Sequence, residues 1–265
     1  MKTRVISGIL MVPAVVAILY FRGCVLLAAC AMIGLVGVKE FFNGWEALGT
    51  KPSKITAYIS TIVLYIAALA GVAQSEFLMF WLVASIVAAM IYGWSIEKRG
   101  PYDAMATVLG IVYVVFFSYH LRLIDTTDYG ILVWIVILSA FGSDIMAYFT
   151  GYCFGKHKLC PHLSPKKTIE GAVGGVIGAG LVCGLFGFLF AKELLIHTVI
   201  LGFIGGAVSQ AGDLTASAFK RKMGIKDYGN LIPGHGGIMD RFDSVIFVAP
   251  FIYYYIWGVF GVLGL

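Results

Sequence analysis

The sequence predicts an all-α, polytopic integral membrane protein with about nine transmembrane helices and a cytoplasmic N-terminus. Three observations carry this. The 265 residues are 60% apolar and only 12% charged, with a mean hydropathy of +0.93, a balance foreign to water-soluble domains. Apolar runs close to the ~20 residues that cross a bilayer as a helix recur along the whole chain. The basic residues also sort by side. If nine spans alternate, sixteen of the 19 Lys and Arg fall with the N-terminus and the connections that share its side. Only Arg22, Arg122 and Lys192 fall on the other side. Cytoplasmic loops carry such an excess.

The spans follow in order. The first, 4–21, comes after Lys2 and Arg4; its apolar run is long and no A-x-A-like cleavage site follows, so it reads as a retained helix. Arg22 separates it from 24–42, and Lys51 and Lys54 precede 55–73. The fourth span is 77–94; Lys98 and Arg99 lie between it and 104–121. These five spans, within residues 1–130, read as a scaffold. The sixth, 130–152, is interrupted by Asp144, and a basic connection at 153–169 leads to the seventh, 170–190. There GAVGGVIGAG spaces glycines four apart, the pattern of closely packed helices. The eighth span, 196–219, is interrupted by Asp213, and a second basic connection, 220–242, precedes the ninth, 243–262. Pro13 and Pro250 lie inside spans, where neighbouring helices satisfy the freed carbonyls. Residues 131–265 therefore read as a catalytic membrane region with two cytoplasmic loops.

The chemistry concentrates there. An Asp at the centre of a membrane helix costs about 2.5–3.5 kcal/mol on insertion scales, so such residues line polar cavities. Asp144 and Asp213 interrupt spans, and Asp240 and Asp243 open the last one. Asp213, Ser217 and Lys220, at i, i+4 and i+7, share one helix face, as do Asp240 and Asp243. Asp213 and Asp240 are expected to converge, and a cation between them would relieve their repulsion. Magnesium suits this, because it takes one or two carboxylates together with substrate phosphate.

The stretch KRKMGIKDYGNLIPGHGGIMDRFD, residues 220–243, holds eight charged residues and five glycines among its 24. Lys220, Arg221, Lys226, His235 and Arg241 supply positive charge and donors. Backbone N–H groups at Gly236 and Gly237, beside a helix N-terminus, would form an anion-binding concavity. In the other basic segment, GKHKLCPHLSPKKTIEG, Ser164 is expected to cap a helix that places Pro165 at its first position and Lys166 and Lys167 in its first turn. Cys153, His157, Cys160 and His162 do not follow a structural-zinc spacing, and five cysteines form no disulfide framework. The 220–242 loop carries neither a G-x-x-x-x-G-K-[ST] nor a G-x-G-x-x-G motif, so the soluble-nucleotide motifs are absent.

From Ser217 the chain reads SAFKRKMGIKDYGNLIPGHGGIMDRFD. This resembles the signature of the phosphatidate cytidylyltransferase (CDP-diacylglycerol synthase) family: S-x-hydrophobic-K-R, four residues, K-D, then P-x-H-G-G-x-x-D-R-x-D. The segments SDIMAYFTGYCFGKHKL and LSPKKTIEG are also similar to that family. The resemblance implies transfer of a cytidylyl group from CTP to phosphatidate, a magnesium requirement with room for a monovalent cation such as K+, and a homodimer in the cell (inner) membrane. The active site would lie at the cytoplasmic face. Mapped onto these positions, Asp213, Asp240, Asp243 and Asp144 would serve the metal. Lys226, His235 and Arg241 would join Asp213 and Asp240 as catalytic groups, and Ser217, Lys220, Arg221, Gly236, Gly237, Lys166 and Lys167 would bind substrate. CTP, phosphatidate and membrane lipid are the expected partners, with no nucleic acid. A transporter would place acids in paired repeats near the midplane, and none is visible here. A CDP-alcohol phosphotransferase would carry D-G-x-x-A-R, whereas Asp213 is followed by LTASAFKR.

Overall fold

A computed structural model describes residues 2–73, 75–95 and 97–261, with the side chains of 2–6 excepted. The side chains of Lys2 and Arg4, and residue 262 of the last expected span, therefore lie outside the described residues. Helices stand at every position where the sequence expects one. They are α1 (Lys2–Phe21), α2 (Gly23–Glu46), α3 (Lys54–Leu69), α4 (Ser75–Tyr92), α5 (Pro101–Gly110), α6 (Phe117–Asp125), α7 (Val133–Phe154), α8 (Ile169–Phe190), α9 (Leu195–Lys222) and α10 (Met239–Tyr255). A π-helical stretch, Ile111–Phe116, joins α5 to α6 in one run, Pro101–Asp125. Seven of the described helices are long and apolar enough to cross a membrane; Ser7–Phe21 and Lys54–Leu69 are apolar but shorter. The protein is thus all-α and polytopic.

The chain forms two compact units, residues 1–122 with 222–242, and residues 123–221 with 243–265. In the first, α2 is the central strut. Phe41 and Phe42 are fully buried. Phe41 meets the Tyr113 and Tyr228 rings at 5.7 and 5.9 Å, the range of favourable edge and tilted aromatic pairs. Small residues let the neighbours in. A methyl group on Gly37 would lie 2.8 Å from Val114 Cγ1, and one on Gly44 2.6 Å from Met223 Sδ. Between α3 and α4, the Ser60 and Ser85 hydroxyls are 2.6 Å apart and Trp81 Nε1 donates to the Ser60 carbonyl at 2.8 Å, so the buried polar groups are paired.

In the second unit the glycines of α8 pack as the sequence implies. A methyl group on Gly175 would lie 2.8 Å from the Ser143 carbonyl of α7, and one on Gly206 of α9 2.7 Å from Ala179 Cβ of α8. The same economy brings α9 to α10, where a Gly212 methyl would stand 2.7 Å from Phe247 Cβ and 3.3 Å from the Asp243 carbonyl.

The segment before α8 corrects one expectation. Ser164 does not cap a helix: Ser164–Thr168 is a strand, β2, paired antiparallel with β1 (Lys158–Cys160). The helix begins at Ile169, capped by Thr168, whose Oγ1 accepts from Gly171 N at 3.1 Å. Pairing with β1 extends the backbone through Pro165–Lys167, and the next hydroxyl takes the cap. Lys166 and Lys167 therefore lie on a hairpin strand, and no dipole conflict arises there.

Candidate active site

The second unit gathers three of the four singled-out acids. Asp213 on α9 forms an ion pair with Lys167 of β2, both side chains 27% exposed. One helix over, Asp243 faces Lys220, with Nζ 3.9 Å from its Oδ2. Its Oδ1 accepts from Ser244 N at 2.8 Å. The close α9–α10 approach at Gly212 makes Asp213 and Asp243 neighbours, and the charges of Asp213 and Asp144 both act on the Asp243 carboxylate. Asp144 itself is exposed and looks into a cavity of about 540 Å3 lined also by Lys158, Lys166, Lys167 and Gln210. Gln210 is held there by donation to Ser143 Oγ at 3.0 Å and the Ala172 carbonyl at 2.9 Å. The hairpin is anchored by Glu170, which accepts from the backbone of Lys156 and bonds His157 Nδ1 at 2.6 Å. Ser217 and Lys220 continue the Asp213 face along α9, a single unbroken helix to Lys222. Arg221 is exposed.

Among the described residues, no three His, Cys, Asp or Glu side chains stand together as a ready chelate. Asp213 and Asp243, each matched by a lysine, nonetheless fit a cation that takes only one or two carboxylates and completes its shell with water and phosphate.

The first unit holds the glycine-rich loop. Gly224, Gly234 and Gly236 have φ of 69°, 79° and 87°, values that side-chain-bearing residues adopt at a cost. Around Gly236 the chain doubles back, with Ile232 N donating to the Gly236 carbonyl at 2.8 Å. Asp240 Oδ2 accepts from Tyr228 N at 2.8 Å and Gly237 N at 3.0 Å, fastening both arms of the loop. The next two amides point elsewhere. Ile238 N and Met239 N donate to the two carboxylate oxygens of Glu40, on α2, at 3.1 and 2.8 Å.

This differs from the expected anion cradle. The N–H groups of Gly237, Ile238 and Met239, the last of them opening α10, are turned inward onto protein carboxylates. The loop's basic side chains instead line a cavity of about 560 Å3, where Lys226, His235 and Arg241 stand with Asp227 and Asn230. Arg241 Nε is buried with no hydrogen-bond partner among the described residues, a cost that an arriving anion would remove. His235 Nδ1 lies 2.7 Å from Ser7 Oγ of α1, and that hydroxyl donates to the Pro233 carbonyl at 3.1 Å.

Glu40, Ser7 and Gln210 are the residues that sequence reasoning missed. Glu40 had a signal: it is a carboxylate inside an apolar span, the same criterion that picks out Asp144 and Asp213. Ser7 and Gln210 had none, since neutral polar side chains are ordinary in membrane helices.

The Cytidylyltransferase family matches residues 2–259. A phosphatidate cytidylyltransferase of Staphylococcus haemolyticus (strain JCSC1435) is 32% identical over 262 residues, covering 95% of this chain and 97% of the relative. Proteins of the same name from Synechocystis sp. (strain ATCC 27184 / PCC 6803 / Kazusa) and Bacillus subtilis (strain 168) are 31% and 28% identical, each over 96% of this chain. With a family match spanning nearly every residue, and relatives aligned from end to end, the chain belongs to the cytidylyltransferase family.

Proposed function

We propose that this protein transfers the cytidylyl group of CTP to phosphatidate, giving CDP-diacylglycerol and pyrophosphate. Family membership across residues 2–259, with relatives named for this reaction, is the observation that carries the reading. A phosphatidate oxygen attacks the α-phosphorus of CTP; the new P–O bond forms as the bond to pyrophosphate breaks. The phosphate monoester has a second pKa near ~6, so it is largely ionised at neutral pH and needs no strong base. Bringing two polyanions together is the difficulty, and positioning with charge neutralisation answers it.

Lys226, His235 and Arg241 hold the CTP phosphates in the loop cavity, with the Gly236–Gly237 turn setting its shape. Lys220, Arg221 and Ser217 on α9, and Lys166 and Lys167 on the hairpin, receive phosphate oxygens. Asp213 and Asp243 hold magnesium, with Asp144 beside them. Asp240 would serve the metal as well, while its Oδ2 fastens the loop amides. When bound, the metal screens phosphate charge. Lys167 and Lys220 stand beside these carboxylates as counter-ions and would also donate to substrate oxygens. A monovalent cation such as K+ is the second ion in this reading.

The two shorter apolar helices complete nine spans, with the N-terminus and both basic loops at the cytoplasmic face of the inner membrane. CTP then arrives from the cytoplasm while phosphatidate presents its headgroup in the adjacent leaflet. The protein works as a homodimer in this reading.

The direct test is pyrophosphate release from CTP by purified protein. Release is expected only when phosphatidate and magnesium are both added; release without lipid, or none with it, overturns the reading. Arg241→Ala is expected to raise KM for CTP about tenfold, the scale of one charge-assisted contact. An unchanged KM would remove Arg241 from the nucleotide site.

A further inference from the structure

The cavity at the β1–β2 hairpin does not end at its lysines. It shares Ala172 and Gln210 with a second, apolar hollow of about 440 Å3 between α8 and α9. That hollow is lined by Val173, Val176, Ile177, Phe203 and Ala207, and Val173 and Phe203 are 55% and 40% exposed. Its floor is low because glycines bring the two helices together: a methyl on Gly180 would lie 2.8 Å from the Phe203 ring, and one on Gly206 3.2 Å from Val176 Cα. One end of the combined cleft thus carries Lys158, Lys166 and Lys167, and the other is lined by aliphatic and aromatic side chains.

We infer that this cleft is the phosphatidate site, with the phosphate among the hairpin lysines and one acyl chain lying in the α8–α9 groove. The inference rests on the cytidylyltransferase reading. Charge and polarity select this occupant. Lys158 and Lys166 beside Asp144, with Lys167 already paired to Asp213, offer ammonium donors that suit a monoester phosphate carrying a charge of about −1.5 to −2. A nucleotide has no apolar tail for the groove. The loop cavity, by contrast, has no apolar annex of this kind among the described residues, and its Lys226, His235 and Arg241, beside Asp227 and Asn230, suit a triphosphate. A free lipid chain is as comfortable in the bilayer as against leucine, so the groove adds little hydrophobic affinity. Its effect is steric: it gives the chain somewhere to lie while the phosphate is seated. Gln210 stands at the junction, pinned by Ser143 Oγ and the Ala172 carbonyl.

Filling the groove tests this. Ala207 and Val173 are both exposed, so Ala207→Trp and Val173→Trp add bulk without entering the packed core. Turnover is compared for dioleoyl and dihexanoyl phosphatidate in mixed micelles. The ratio of kcat/KM, long chain over short, is expected to fall about tenfold in either variant, because a displaced chain lifts the phosphate from its lysines. Ile66→Trp, on an exposed face of α3, is expected to leave that ratio at the unaltered value. A ratio unchanged in both groove variants overturns the inference, as does an equal loss with both lipids or a change in oligomeric state without chain-length dependence. Should the unaltered protein turn over neither lipid, the function reading fails by itself. A phosphatidate bearing a photoactivatable group on its acyl chain then still reads the groove. Labelling of 172–177 and 203–210 supports the site, and labelling confined to other helices overturns it.

Discussion

Asp213→Ala is expected to lower CTP- and phosphatidate-dependent pyrophosphate release by about three orders of magnitude, the scale of losing a central electrostatic group. The thermal midpoint in detergent should move by only a few degrees, since a partly exposed ion pair adds little stability. The Lys167–Asp213 ion pair gives the acid a structural partner as well. Removing the acid leaves the Lys167 ammonium without it, so a purely structural role would produce part of the same loss. Neutralising both partners separates the two. If Asp213 only balances Lys167, then Asp213→Asn adds no further loss in a Lys167→Met background, where the partner charge is already gone. If Asp213 holds the metal, the double variant is far less active than Lys167→Met alone. A conservative test points the same way: Asp213→Glu keeps the charge on a longer arm and should regain activity as magnesium is raised. Equal activity of the double variant and Lys167→Met, or no response of Asp213→Glu at any magnesium concentration, would remove Asp213 from the metal.

The membrane fold was legible because its signals are long and redundant. Twenty-residue apolar runs recur along the chain, and the helices stand on them. The acids were legible for a related reason. Asp144 and Asp213 are conspicuous against an oily background, and the continuity of α9 guarantees that Asp213, Ser217 and Lys220 line one face. What the sequence hid was the direction of backbone amides. KTIEG reads equally as a helix start or a strand end, and the strand won because β1 offered a partner. Likewise, a glycine-rich turn before a helix looks like a phosphate cradle. Whether its N–H groups face a ligand depends on an acceptor nearly two hundred residues away in the chain. Glu40 is that acceptor, in a segment whose composition reads as scaffold.

The largest structural effects are expected at Glu40 and Gly237, and they should not add. Glu40→Ala leaves the buried amides of Ile238 and Met239 without their acceptor, at about 1–3 kcal/mol each, less what is gained by no longer burying a carboxylate. The loop then loses the tie that fixes it to α2, so KM for CTP should rise with a kcat loss of about a hundredfold. Glu40→Gln is expected to fall between the two, because its oxygen satisfies one amide while its NH2 opposes the other. Gly237→Ala acts through the same side chain from the opposite direction. Gly237 does not need a left-handed backbone, yet its missing Cβ is the space in which the Glu40 carboxylate sits, overlapping Oε1, Cδ and Oε2. That overlap should cost about 1–3 kcal/mol. In the double variant the added methyl finds the room that Glu40 vacated, so its unfolding free energy should fall by about 1–2 kcal/mol less than the sum of the singles. Activity should stay at the level of Glu40→Ala, since relieving a clash does not restore the tie. Strict additivity would mean that the two residues do not touch. A harmless Gly237→Ala would mean that the carboxylate lies elsewhere and that the amides of α10 remain open to phosphate after all.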